Sequence, residues 1–185
     1  MKKPLEMAHD FLAQVITKDD VVVDATMGNG HDTLFLAKLA KQVYAFDIQE
    51  QALQKTSQRL QEAGLTNVEL LLQGHENVDQ FATDVKAAIF NLGYLPTADK
   101  SIITKPHTTI EALEKLCQML VKGGRIAIMI YYGHEGGDIE RDAVMDYVSQ
   151  LPQQEYTATI YRTLNQINNP PFLVMIEKLE RYRHG

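Results

Sequence analysis

The sequence predicts an α/β protein with a seven-stranded, mostly parallel sheet, a last strand that runs antiparallel, and helices on both faces. Two observations predict this fold. Apolar runs of strand length alternate with segments of helical periodicity along most of the chain. Towards the end, two strand-like runs are separated by only nine residues, which is too few for the crossover helix that a parallel pair requires.

The individual elements follow from the positions of apolar residues and of residues that end helices. The strands are expected at residues 21–24, 43–47, 68–72, 87–90, 126–131, 156–162 and 172–177. An opening helix has one apolar face over residues 5–15, and later helices are expected at residues 34–40, 52–63, 108–121 and 139–151. Gly64 ends the helix after the second strand. Thr108 and Glu111 form a capping-box pattern, and their helix is expected to stop at Gly123-Gly124.

The composition bounds the class of protein. A chain of 185 residues, 45% of them hydrophobic, fits one domain over residues 1–185. Cys117 is the only cysteine, so no disulfide forms within the chain, and its leucine neighbours on a predicted helix indicate a core residue. No apolar run approaches the length of a membrane span, and the N-terminal stretch is too polar for a signal peptide. We therefore expect a cytoplasmic protein with no membrane partner.

The net charge of −6 argues against a protein that coats nucleic acid by bulk attraction. The charges are uneven, however. Residues 62–99 carry six acids and one lysine, whereas residues 99–125 carry five basic residues and three acids. A local basic patch and a scatter of solvated charges both fit these counts.

A glycine turn follows the first predicted strand. In open parallel sheets, ligands bind beyond the carboxyl ends of the strands. There, Asp24 is followed by Met27-Gly28-Asn29-Gly30, whose glycines allow a tight turn and close approach to a ligand beside the N-terminus of the next helix. Thr33 stands where the dinucleotide fingerprint has its third glycine. A plain strand-to-helix turn would use the same two glycines.

A carboxylate after the second strand points to a ligand that contains adenosine. Asp47, with Gln49 beside it, is placed to accept both hydroxyls of a ribose. Gly74 and His75, after the third strand, would face the adenine, although the same stretch could simply start a helix. We expect the cofactor to be bound by Met27, Gly28, Asn29, Gly30, Asp47, Gln49, Gly74 and His75. The spacing of Asp24 and Gly28 resembles the S-adenosylmethionine site of class I methyltransferases.

The fourth strand ends in Asn91-Leu92-Gly93-Tyr94, next to the reactive end of such a cofactor. This run resembles the Asp/Asn-Pro-Pro-aromatic tetrapeptide of amino-group methyltransferases, without its prolines. In that motif the first side chain and a backbone carbonyl hold the target nitrogen, and the aromatic ring packs on the substrate. An irregular loop with an exposed Tyr94 is the alternative.

Two histidines are candidate proton acceptors, because imidazole titrates near neutral pH. His107 precedes a predicted helix, and His134 lies in the glycine-rich loop after the fifth strand. Either one alone is more often a surface or capping residue. His9 and His184 have no comparable context. No set of His, Cys, Asp or Glu has metal-ligand spacing, so no metal is expected.

Five motifs, in this order, resemble the bacterial MnmM/YtqB-type family, long labelled "putative rRNA methylase". They are Asp24-Ala-Thr-Met-Gly-Asn-Gly-His-Asp-Thr; Asn91-Leu-Gly-Tyr-Leu-Pro with Asp99-Lys100; Lys105-Pro106 with Thr108-Thr109; Gly133-His-Glu-Gly-Gly; and Asn168-Asn-Pro-Pro-Phe172 with Ile176-Glu-Lys178. The resemblance covers nearly the whole chain. It implies a Rossmann-like class I methyltransferase fold, S-adenosyl-L-methionine as cofactor, and a tRNA substrate, in which the aminomethyl group of a wobble 2-thiouridine is methylated.

With that substrate, Asn91 and the Leu92 carbonyl would orient the amine and Tyr94 would pack on the uracil ring. Either His107 or His134 would carry the proton away. Four cations, Lys100, Lys105, Lys122 and Arg125, are candidates for contacts with the RNA backbone. There is no appended RNA-binding module, so a second subunit, in a homodimer, could help to hold the tRNA.

Three other functions fit parts of the sequence. The first is methylation of ribosomal RNA or of another nucleobase amine. The second is a nicotinamide-dependent oxidoreductase, against which Thr33 argues because it replaces the third glycine. The third is a non-catalytic protein that binds S-adenosylmethionine and RNA.

Overall fold

A computed structural model describes residues 1–93 and 106–180. The helices are α1 (Pro4–Ala13), α2 (His31–Leu39), α3 (Glu50–Ala63), a 3₁₀ helix (His75–Gln80), α4 (Pro106–Met119) and α5 (Gly137–Ser149). The strands are β1 (Val21–Asp24), β2 (Gln42–Asp47), β3 (Val68–Leu72), β4 (Val85–Leu92), β5 (Leu120–Ile130), β6 (Tyr156–Tyr161) and β7 (Phe172–Lys178).

The seven strands form one sheet in the order β3-β2-β1-β4-β5-β7-β6. β7 pairs antiparallel with both of its neighbours, and every other pair is parallel. Six strands therefore share one direction and the last strand is reversed, as predicted, because the short connection from β6 leaves no room for a crossover helix.

Helices cover both faces of the sheet because its central strands are apolar on both sides. Val22 and Val23 are adjacent in β1, and their side chains belong to different core clusters. Val22 packs in the layer of α1 and α2, which contributes Leu12 and Leu36. Val23 packs in the layer of α4, which contributes Leu113. The predicted fold is thus confirmed.

Arg125 fastens α1 to the sheet. Its guanidinium donates to the Phe11 carbonyl oxygen (Nη1–O, 2.7 Å) and to Glu177 of β7 (Nε–Oε2, 2.8 Å), and it lies 4.5 Å from the centroid of the Phe11 ring. The sequence analysis offered Arg125 as an RNA contact. The structure instead commits this cation to the fold, at the end of the sheet away from the carboxyl ends of the parallel strands.

Several element boundaries differ from the predicted ones, and two of the differences have a clear physical reason. α4 begins at Pro106 rather than at Thr108, and a proline suits the first turn because its missing N–H has no partner there in any case. β5 begins at Leu120 rather than at Ile126. Leu120 pairs with Val85, and the register then shifts before Arg125. Gly123, at φ +82°, lies in this bulge, so the glycine pair interrupts a strand instead of ending a helix.

Cys117 is buried on α4, and burial raises the pKa of its thiol to about 11. It is therefore a protonated core residue, as expected. Among the helices in the described ranges, none combines the length and the apolar character needed to cross a bilayer.

Candidate active site

A cavity of about 250 Å³ lies at the carboxyl ends of β1, β2 and β4. The residues predicted from sequence that line it are Met27, Gly28, Asn29, Asp47, Gln49, Gly74, His75 and Asn91. The structure thus brings residues from four separate connections to one place, because neighbouring parallel strands end at the same edge of the sheet.

The glycine turn requires glycine at two positions for different reasons. Gly30 has φ +86°, and a Cβ placed on it would lie 2.8 Å from the Thr56 hydroxyl oxygen and 2.9 Å from the Thr56 Cα. Gly28 has φ +52° but open space around it, so only its backbone conformation disfavours a side chain. Gly30 also caps the N-terminus of α2, and its N–H donates to the Met27 carbonyl oxygen at 2.8 Å.

The Asp47 carboxylate holds the turn and faces the cavity. Its Oδ2 accepts the Gly28 N–H at 3.1 Å and its Oδ1 accepts the Gln49 N–H at 3.0 Å. Burial raises the pKa of Asp47, and these backbone donors oppose the rise. A carboxylate offers about four acceptor sites, so the fixed Asp47 group can still accept a hydroxyl group such as that of a ribose.

His75 lines the cavity as a buried, neutral ring. Its Nδ1 lies 3.0 Å from the Ala25 carbonyl oxygen, which can only accept, so Nδ1 carries the proton. Burial lowers the pKa of His75. The other nitrogen, Nε2, is a bare acceptor, and it is buried without a hydrogen-bond partner. An unpaired buried acceptor favours a ligand that donates, such as the exocyclic amine of adenine.

Asn91 stands at the end of β4, opposite the glycine turn. Its backbone N–H donates to the Thr26 hydroxyl at 2.7 Å, and its side-chain amide contacts Asp32 Oδ2. The Leu92 carbonyl oxygen, by contrast, accepts the Tyr131 N–H at 2.9 Å within the sheet. Among the described residues of this motif, Asn91 and Gly93 line the cavity, and the polar side chain there is that of Asn91.

The two histidines proposed as proton acceptors differ in position. His134 is exposed, and its ring lies against Gly93, since a Cβ on Gly93 would be 2.4 Å from His134 Cε1. Because Gly93 lines the cavity, His134 lies at the rim. His107 is exposed in the first turn of α4 and does not belong to the described lining. Three other predicted residues, Tyr94, Lys100 and Lys105, lie outside the described residues, as does His184.

Asp24 lies directly behind the turn and is fully buried. Its Oδ2 accepts the Thr33 hydroxyl at 2.7 Å, and its Oδ1 accepts the Thr26 N–H at 3.1 Å. Burial, followed by repulsion from Asp32, raises the pKa of Asp24 to about 8. Thr33, which stands where the dinucleotide fingerprint has its third glycine, therefore binds a carboxyl group that keeps its proton near neutral pH.

The sequence analysis missed two residues beside Asn91. Asp32 lines the cavity from the first turn of α2, and His9 Nε2 lies 2.6 Å from Asp32 Oδ1. A signal was available in the sequence: Leu5 and His9 are four residues apart and share one face of α1, and Leu5 also lines the cavity. Within residues 1–93 and 106–180, no group of three His, Cys, Asp or Glu side chains is arranged to hold a metal ion.

The family model described as "Putative rRNA methylase" matches residues 43–177. A tRNA (mnm(5)s(2)U34)-methyltransferase from Arabidopsis thaliana chloroplasts is 36% identical over 96% of this chain and 70% of its own length. A Streptococcus mutans protein solved in complex with SAH is 56% identical, with a TM-score of 0.92 over 97% of this chain and 99% of that one. An rRNA methylase from Streptococcus thermophilus is also 56% identical, with a TM-score of 0.86 over 97% and 98%. The chain therefore belongs to this rRNA methylase family and has the class I methyltransferase fold, as its motifs predicted.

Proposed function

We propose that this protein is an S-adenosylmethionine-dependent tRNA methyltransferase that methylates the aminomethyl nitrogen of a wobble 5-aminomethyl-2-thiouridine. The observation that carries the proposal is the position of Asn91, whose side chain lines the same cavity as the glycine turn and Asp47. Groups suited to an amine and groups suited to adenosine thus face one space. The similarity to the Arabidopsis tRNA (mnm(5)s(2)U34)-methyltransferase supports the choice of substrate.

The residues present fit the cofactor. Asp47 would accept the ribose hydroxyls, and His75 Nε2, a buried acceptor without a partner, would accept the adenine amino group. The turn from Met27 to Gly30 would lie along the rest of the molecule, with Gln49 and Gly74 at the sides. When bound, S-adenosylmethionine supplies an electrophilic methyl group, and its sulfur takes the electron pair of the broken bond. These residues would therefore hold the cofactor on one side of the cavity and leave the side of Asn91 for a substrate.

Asn91 and its neighbours would hold the amine. The Asn91 amide nitrogen is engaged by Asp32, so its oxygen remains to accept a hydrogen from the substrate nitrogen. Tyr94 would pack on the uracil ring, and His134, at the rim, or His107 would pass a proton to solvent. Alignment of this kind can contribute about 7–11 kcal/mol to lowering a barrier.

Contacts with RNA would come from fewer cations than the sequence suggested. Arg125 is used by the fold, and Lys122 lies at the start of β5, away from the carboxyl ends of the strands. Lys100 and Lys105 remain as candidates for contacts with the RNA backbone. A second copy of the chain could extend this small surface for the anticodon arm.

The test is nucleoside mass spectrometry of tRNA and rRNA from a strain that lacks the gene, with complementation by the wild type and by Asn91→Ala. We expect the strain to lose the methylaminomethyl nucleoside of tRNA and to accumulate the aminomethyl form. Wild type should restore the nucleoside, and Asn91→Ala should not, although its affinity for S-adenosylhomocysteine should stay within about threefold because Asn91 lies on the substrate side. Full turnover by Asn91→Ala would contradict the assignment.

Methylation of rRNA is the second candidate, because both the family description and the Streptococcus thermophilus relative carry that label. Loss of a methylated nucleoside from rRNA, with tRNA unchanged, would favour it over the tRNA substrate.

A further inference from the structure

His9 is held firmly beside the cavity by α1 and α2. Its ring stacks on Phe35 with centroids 4.0 Å apart and planes 6° from parallel. Its Nε2 lies 2.6 Å from Asp32 Oδ1, which is within hydrogen-bond distance. The His9 side chain is 25% exposed, whereas that of Asp32 is 8% exposed. The pair thus runs from the cavity wall to solvent.

The other end of the pair reaches Asn91. Asp32 Oδ2 contacts the Asn91 amide nitrogen, and both residues line the cavity. The negative charge of Asp32 is one cause of the raised pKa of Asp24, which lies behind it. Asp24 therefore keeps its proton, and the negative charge of the Asp24–Asp32 pair lies on Asp32 at the cavity wall.

The placement of His9 is built into the fold. Arg125 ties the end of α1 to the sheet through the Phe11 carbonyl oxygen, and the Tyr161 hydroxyl donates to the Lys2 carbonyl oxygen at 2.6 Å at the start of the helix. A helix fixed at both ends presents His9 to Asp32 in one orientation.

The chemistry needs such a pair. An alkylamine is mostly protonated at neutral pH, like a lysine side chain, and an ammonium has no electron pair with which to attack. A proton must leave the nitrogen before the new bond can form. A carboxylate beside the nitrogen attracts the ammonium, and an imidazole behind the carboxylate can receive the proton.

We propose that Asp32 and His9, in place of His134 or His107, are the proton acceptor of the methyl transfer. This inference rests on the proposed function, since it requires an amine substrate. Neutral His9 with its hydrogen on Nδ1 leaves Nε2 free to accept. The N–H bond of the ammonium breaks, its electron pair stays on nitrogen, and the proton passes by way of Asp32 to His9 Nε2, which gives an imidazolium beside the Asp32 carboxylate. The nitrogen uses its pair to bond the methyl carbon while the carbon–sulfur pair goes to sulfur. His9 then releases its Nδ1 proton to water on its exposed side.

The other charged groups around the pair are few. Asp24 lies behind Asp32, and His31, next to it in the chain, lines the cavity. On α1, the residue after His9 is Asp10, which is ion-paired with Lys2. A change in the pH profile on substitution of His9 must be compared with variants of these neighbours.

The test is the pH dependence of methylation of tRNA that carries 5-aminomethyl-2-thiouridine, for wild type, His9→Gln and Asp32→Asn. Glu6→Gln is the matched control, because Glu6 is an exposed acid three residues away on the same helix. We expect His9→Gln to lower kcat about 100-fold at pH 7 with little change in KM. The loss should shrink towards pH 10, where the amine loses its own proton. Imidazole in the buffer should restore part of the rate of His9→Ala.

A second readout does not use activity. At a fixed pH, the NMR signals of the His9 ring nitrogens in the S-adenosylhomocysteine complex should move in Asp32→Asn, because Nε2 loses its carboxylate partner, and should be unchanged in Glu6→Gln. Unchanged ring signals in Asp32→Asn would overturn the pairing.

The kinetic outcomes separate this inference from the proposed function. A loss of rate in His9→Gln that is equal at every pH, together with no rescue of His9→Ala by imidazole, would show that His9 only supports the fold. That result would overturn this inference and leave the proposed function standing. A rate at pH 7 equal to that of wild type would do the same. Failure of wild type to methylate this tRNA would refute the proposed function, and the inference with it.

Discussion

Replacing Asp24 by Asn should stabilise the protein, and by a margin that grows with pH. Asp24 is fully buried, and burial raises its pKa from the ordinary 3.8 of an aspartic acid to about 8 in the folded chain. Its two hydrogen bonds, to the Thr33 hydroxyl and the Thr26 N–H, can both be kept by an amide, with the Asn nitrogen donating to Thr33. The substitution therefore mimics the protonated carboxyl group.

The sign follows from proton uptake. The folded state keeps a proton that the unfolded chain releases above about pH 4, so Asp24 costs no stability below that pH. The cost grows as pH rises towards about 8. One pH unit in this window corresponds to at most about 1.4 kcal/mol, and we expect about 1 kcal/mol per unit between pH 5 and pH 7.

Urea unfolding at pH 5, 6, 7 and 8 measures this margin directly. The control is Asp19→Asn, at an exposed position, where the difference from wild type should stay flat with pH. A margin between Asp24→Asn and wild type that is constant, or that narrows as pH rises, would mean that Asp24 is ionised in the folded protein and would refute the reasoning.

Three further predictions follow from the cavity. Gly30→Ala should cost about 1–3 kcal/mol of unfolding free energy and Gly28→Ala about 1, because only position 30 combines a positive φ with a clash against the Thr56 backbone; equal losses in urea unfolding would contradict this. Wild type should bind S-adenosylhomocysteine about 10–100-fold more tightly than its inosine analogue, which lacks the adenine amino group that His75 Nε2 would accept. His75→Ala removes this acceptor and should abolish the preference in calorimetry; a preference kept by the variant would argue against His75. S-adenosylhomocysteine should raise Tm and NAD should not, and the reverse result would favour the oxidoreductase.

The fold could be predicted because its causes are local in the chain. Alternating periods set the parallel sheet, and the short connection before β7 forced the reversal. The bulge in β5 could not be predicted, since a pair of glycines after a helix is as compatible with a helix end as with an interrupted strand. Only the pairing of Leu120 with Val85 decides it.

The part of the site that could be predicted consists of residues that directly follow the ends of strands. Asp47 and Asn91 meet because β2, β1 and β4 are neighbours whose carboxyl ends share one edge. His9 could not be assigned to the site from sequence because the docking of α1 depends on tertiary contacts such as the one between Arg125 and the Phe11 carbonyl oxygen. The protonation of Asp24 likewise depends on burial and on Asp32, two features that appear only after folding.

The docking of α1 has a consequence for biosynthesis. The helix is translated before β5 and β7, yet it packs on both strands, and Arg125 and Tyr161 tether it. It must therefore wait until these strands are translated before Leu5 and His9 take their places. A ribosome stalled before β7 would carry a chain whose pocket still lacks one wall.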